Sequence, residues 1–124
     1  MKSMEWFIAA ACLAAPALSA AAAGDAVAGR ALYQTRCGAC HSLDYNGVGP
    51  AHRGVFGRAA AQAKGFAYSD ALKSSRLVWS EESLDRWLAD PEKTAPGQRM
   101  GLKVPDAQER ADLIAYLKQA SSAK

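Results

Sequence analysis

Cys37 and Cys40 stand three positions apart, and His41 follows directly. Two thiols in C-x-x-C-H order can each add across one vinyl group of a porphyrin, making two thioethers. The small Gly38 and Ala39 between them let the backbone curl beneath the ring edge. The next residue then falls under the metal, where an imidazole nitrogen serves as proximal axial ligand. A bare C-x-x-C also occurs in zinc ribbons and dithiol redox sites. Zinc needs a second ligand pair, and downstream the chain offers only His52 and no further cysteine. A dithiol site belongs at a strand end in a βαβ setting, and no such strand pattern is present. The motif implies a single covalent heme c, held through Cys37 and Cys40.

A second axial ligand is then sought. Beyond the N-terminal segment, Met100 is the sole methionine. It follows Pro96-Gly97-Gln98-Arg99, a polar loop in which core packing explains a methionine poorly. A thioether opposite histidine gives a six-coordinate, low-spin iron with a raised potential, so His41 and Met100 are the expected metal ligands. His52 lies too close to His41 in sequence to reach the opposite face, and reads as a loop or surface histidine. The carbonyl of Pro50 is placed to hold the ring N–H of His41, the acceptor that metal-bound histidines generally have.

The elements that position these groups are helical. Asp25 reads as an N-cap of a helix over 25–36, with Val27, Ala31 and Leu32 as its apolar face and Tyr33 on the face of Gly29. Gly29 costs that helix about 1 kcal/mol against alanine, which points to close approach of another backbone. Residues 42–65 are broken by Gly47, Gly49, Pro50, Gly54 and Gly57 and read as a wrap around a flat group. A short helix is expected over 69–74. Ser80 caps another through Leu84, Trp87 and Leu88 to Asp90, where Pro91 stops it or begins a new turn. Asp106 opens a C-terminal helix to about residue 119, with Leu113, Ile114, Tyr116 and Leu117 at helical spacing. No strand is expected.

Residues 1–23 differ in composition. Lys2 precedes an apolar run from Trp6 to Leu18, and small residues around Ala21-Ala22-Ala23 offer cleavage sites. This is the anatomy of a signal peptide, favoured over an uncleaved membrane anchor because the run is short and alanine-rich against a membrane span of about 20 residues. The expected division is therefore a signal peptide, 1–23, and one domain, 24–124. Removing Lys2 and Glu5 leaves 14 basic and 11 acidic residues, still +3. That mild, dispersed charge gives no sign of nucleic-acid binding. About a hundred residues with few large aliphatics make a marginal core, which a buried porphyrin would complete.

The chain resembles the class I c-type cytochromes, the mitochondrial cytochrome c and bacterial periplasmic cytochrome branch. The resemblance rests on Gly24-Asp25 with Gly29 and Tyr33, on CGACH, and on Gly49-Pro50 through Gly54-Val55-Phe56-Gly57-Arg58. It continues through GFAYSDAL, Trp79, LADPEKTAPGQRM and ERADLIAYLK. It implies an all-α cytochrome c fold, four to five short helices wrapped around one covalently bound heme. It also implies that Tyr68, Trp79 and Arg58 surround a buried heme propionate, and that the first and last helices cross at Gly29 and Tyr33. His52 departs from it, standing where the family usually has leucine against the heme, and so does Trp87, where mitochondrial members carry tyrosine.

The function so implied is single-electron transport by an exported, periplasmic, monomeric carrier rather than an enzyme. Its partners would be membrane-bound or periplasmic oxidoreductases that dock transiently at the heme edge, with Arg53, Lys64, Arg99 and Lys103 as the docking cations. The alternatives are a heme subunit of an oxidoreductase complex, and a sensor or enzyme whose Met100 is displaced.

Overall fold

The computed structural model describes residue 3, residues 14–16 and residues 23–123. The expected signal peptide lies almost wholly outside these residues. Among them no helix is long and apolar enough to cross a membrane.

Five helices and no strand are formed among the described residues: α1 Ala26–Arg36, α2 Asp70–Ser74, α3 Glu81–Ala89, α4 Pro91–Thr94 and α5 Ala107–Ser122. Each begins at a side chain that accepts from the otherwise unpaired first-turn amides. Asp25 accepts from Val27 N and Ala28 N at 2.8 and 3.3 Å. Ser80 and Ser83 cap one another reciprocally at the start of α3. Asp90 closes α3 and caps α4, with Pro91 in its first turn. Asp106 accepts from Glu109 N at 2.8 Å.

The fold is organised by the crossing of α1 and α5. A Cβ built on Gly29 would lie 1.9 Å from the Asp112 carbonyl oxygen, and one on Gly24 2.0 Å from that of Ala111. Only glycine permits this contact. It selects the buried face of α1: Gly29 and Tyr33 are buried with Leu32 half-buried, whereas Val27 and Ala31 face solvent. The expected apolar face of Val27, Ala31 and Leu32 is therefore corrected, because backbone approach outweighs side-chain hydrophobicity here. Val27 is 82 % exposed. The crossing is locked at its N-terminal end by the Asp25 amide, which donates to Asp112 Oδ1 at 2.8 Å. Tyr33 meets Tyr116 with ring centroids 5.2 Å apart.

α3 packs on α5 and carries the segment after Met100. Val104, fully buried, donates its amide to the Leu88 carbonyl at 2.8 Å. Arg110 on α5 donates to Asp85 Oδ1 at 2.7 Å and to the carbonyls of Val104 and Pro105. Val104 joins Trp79, Trp87, Leu84, Leu88, Leu113 and Leu117 in one core.

The long irregular stretch is ordered by its backbone. Gly49 N donates to the Cys40 carbonyl, His52 N to Ser42 and Arg53 N to Leu43, folding the loop back over the motif. An antiparallel bridge joins Ala59 and Val78, and its flanking bonds hold Arg58 beside Trp79.

Candidate heme site

One cavity of about 440 Å³ is enclosed between the motif, the loop and the α3–Met100 region. Cys37, Cys40, His41, Pro50, Arg58, Tyr68, Trp79 and Met100, far apart in sequence, all line it. The volume suits a bound organic group, and the wall is mostly apolar.

α1 ends at Arg36, and Cys37 N and Gly38 N both donate to the Tyr33 carbonyl. His41 N then donates to the Cys37 carbonyl at 2.8 Å, so both thiols and the imidazole are presented in one tight turn. Burial pushes the Cys37 thiol up to about 11. A reactive dithiol would need it lowered, since there the thiolate is the working species. Among the described residues no three His, Cys, Asp or Glu side chains converge as a metal site of their own.

His41 Nδ1 donates to the Pro50 carbonyl at 2.8 Å, which leaves Nε2 as the free nitrogen. Burial holds the ring below the ordinary histidine range, opposed by the Pro50 bond, and the neutral form is the one that ligates. The ring edge presses on Gly49, where an added Cβ would sit 2.2 Å from His41 Cε1. The proline carbonyl was foreseeable from sequence; the glycine contact beside it was missed, although a glycine directly before that proline was its signal.

The expectation of a loop or surface histidine at position 52 holds for the loop and fails for the surface. His52 is in a loop, but its ring lines the cavity and stacks on His41, with centroids 3.9 Å apart and planes 19° apart. Its Nδ1 shares a 2.9 Å hydrogen bond with the Tyr33 hydroxyl. Burial, then the neighbouring His41 and Arg58, push it down to about 3, so it is neutral. Burial likewise drives the Tyr33 phenol well above its usual range.

Arg58 reaches the cavity with its Nε buried and unpartnered, while another guanidinium nitrogen donates to the Arg53 carbonyl. A buried orphan donor of a cation implies an acceptor of negative charge. Trp79 stands beside it, 7 % exposed. Tyr68 accepts from Ala63 N at 2.9 Å, so its own O–H remains to donate. These three donors fit a carboxylate-bearing flat group.

Met100, half-buried, is held by its loop. Gln98 Oε1 accepts from Met100 N at 2.6 Å, Glu92 anchors Gly97 N, and Arg99 donates to the Ala67 carbonyl next to Tyr68. The first two contacts are local to the loop, and only the Arg99–Ala67 bond depends on tertiary placement.

A heme protein of the small helical class is what this fold and cavity define. Comparison with known proteins makes the class specific. The cytochrome c family profile matches residues 26–121. Cytochrome c of Chlamydomonas reinhardtii is 45 % identical over 108 residues, covering 82 % of this chain and 95 % of the relative. A cytochrome c-type cyt cy of Rhodobacter capsulatus is 45 % identical over 96 residues, covering 76 % of this chain and 48 % of that protein. The solved structure of cytochrome cH from Methylobacterium extorquens superposes with a TM-score of 0.74 at 47 % identity, covering 77 % of this chain and 99 % of that one. The chain belongs to the cytochrome c family, and it carries one covalent heme c through Cys37 and Cys40 as a heme electron carrier.

Proposed function

We propose that this protein is an exported, soluble, monomeric carrier of single electrons between proteins, with His41 and Met100 as axial ligands of the heme iron. The observation that carries the reading is the His41 Nδ1–Pro50 bond, which commits one ring nitrogen and leaves Nε2 for metal on a wall shared with Met100. Bound heme supplies a reversible one-electron change at iron. The chain does the rest. Cys37 and Cys40 tether the ring edge, and the Pro50 carbonyl fixes the imidazole tautomer and strengthens it as a donor. The apolar wall excludes water and so disfavours the more highly charged oxidised centre. Arg58, with Trp79 and Tyr68, offsets the charge of a propionate that would otherwise be costly to bury. With both His41 and Met100 holding the iron, no position would remain for substrate, which is why a carrier is favoured over an enzyme.

The N-terminal segment directs the chain to the periplasm, and its partners are membrane-bound or periplasmic oxidoreductases. Docking would use the exposed cations. Lys64 and Arg99 are exposed, and Arg53 and Lys103 are engaged with Asp44 and Asp90 at the surface. Exposed charges steer association more than they add affinity. Addition of carbon monoxide to the reduced protein tests the reading. A carrier with both ligands in place leaves its spectrum unchanged over seconds, whereas rapid binding would show an open iron and favour the sensor or enzyme alternative.

A further inference from the structure

We infer that Tyr33 and His52 form a bracket that sets the rotation of the His41 imidazole about its iron-facing axis, making both positioning residues of the redox centre. The inference rests on His41 being the proximal ligand, as proposed above. The Pro50 carbonyl fixes one corner of the ring at 2.8 Å, and Gly49 limits movement of its edge. One hydrogen bond leaves the plane free to rock. The near-parallel His52 ring, 19° from that plane with centroids 3.9 Å apart, closes off one face.

His52 is itself held at two points. Its backbone amide donates to the Ser42 carbonyl at 2.9 Å, and its Nδ1 is bonded to the Tyr33 hydroxyl at 2.9 Å. Tyr33, 6 % exposed, is wedged against Tyr116 of α5 and meets His52 edge-on at 66°. A continuous series of contacts thus runs from the α1–α5 crossing to the ligand ring. An aliphatic side chain at position 52 could fill the space but would impose no plane and could not take the hydroxyl. Groups that orient a metal-bound histidine tune both its affinity and the metal's electronic state.

The test compares heme-loaded wild type with Tyr33→Phe, His52→Leu, His52→Asn and the Tyr33→Phe/His52→Leu double variant. The readout is the set of paramagnetically shifted heme methyl resonances of the ferric protein, with its low-temperature electron paramagnetic resonance spectrum. These report the plane of the axial imidazole, which a merely space-filling role would not move. Tyr33→Phe keeps the ring and removes only the hydroxyl, and it should displace the methyl pattern. His52→Leu should displace it further, and Tyr33→Phe should add nothing in that background. His52→Asn, which retains a polar group near Nδ1 but no ring, should resemble His52→Leu. A Tyr33→Phe pattern identical to wild type, or additive effects, overturns the bracket, and the first of these decides even if His52→Leu fails to fold. A wild type lacking a low-spin histidine–methionine spectrum would instead sink the ligation reading, and the bracket with it.

Discussion

Gly29→Ala sets two local effects against each other, and they differ in sign. Considered as one helix, α1 should gain about 1 kcal/mol, because alanine has less backbone freedom to lose. The crossing says otherwise. The new Cβ would lie 1.9 Å from the Asp112 carbonyl oxygen, 2.5 Å from its carbon and 2.9 Å from Tyr116 Cβ. Ordinary carbon contacts need about 3.5 Å or more, so α1 must retreat from α5 by roughly 1.5 Å. The obstructing atoms are helix backbone and cannot rotate away. Gly24 on Ala111 and the Asp25–Asp112 bond pin the neighbouring turn, so the retreat also strains a second contact. Overpacking of this kind costs about 1–3 kcal/mol, at its upper end where backbone must shift. Net of the propensity gain, the variant should lose about 2 kcal/mol, lowering Tm by roughly 10 °C in a domain this size. Thermal and urea unfolding of the heme-loaded protein measure it. Equal or greater stability in the variant would refute the close-contact argument and leave propensity in charge.

Gly49→Ala should drive a methyl into the His41 ring, 2.2 Å from Cε1, and the ferric protein should then show a mixture of low-spin and high-spin heme in its visible spectrum while the thioethers survive. Arg58→Leu removes the buried guanidinium whose Nε has no protein partner. Loss of a cation beside the heme favours the more positive oxidised state, so the reduction potential should fall, and stability should drop by about 1.5–3 kcal/mol as a charged acceptor loses its donor. Tyr33 gives a pH prediction: burial raises its folded pKa above the ordinary 10.0, so the folded state retains a proton that the unfolded state releases. Its contribution is whole below pH 10 and declines as pH climbs beyond it, by up to about 1.4 kcal/mol per pH unit. Tyr33→Phe should flatten the alkaline fall in unfolding free energy by one proton, and an unchanged slope would contradict the assignment.

How legible the molecule was in its sequence depended on the range of the interaction. Caps at Asp25, Ser80 and Asp106 act within three residues, and the helices begin where those side chains require. The C-x-x-C-H turn is equally local. Gly29 showed that something must approach, although the buried face of α1 was misread because Val27 is apolar yet lies off the crossing. His52 was misjudged only in its exposure. Closeness in sequence to His41 argued against the opposite face, and the two rings do stack, but the Ser42–His52 and Leu43–Arg53 backbone bonds fold the loop back so that the ring lines the cavity instead of the surface. Ala61 and Arg76 adopt φ values of 63° and 56° where no glycine announces a turn, and local pattern offers no signal for such positions. The propionate trio came from family resemblance alone. Its physical sign, an orphaned Arg58 Nε, exists only once the loop and the Ala59–Val78 bridge are in place.

The central claim is that a histidine and a methionine complete the coordination of a covalent heme. The most direct test is the visible and far-red spectrum of oxidised and reduced protein, exported from a host with working cytochrome c maturation, beside Met100→Ala. Wild type should show low-spin heme with a weak far-red sulfur-to-iron band, and the variant should lose that band and turn largely high-spin in the ferric state. A high-spin wild type, or a variant whose spectrum matches wild type, would contradict the account and remove Met100 from the iron.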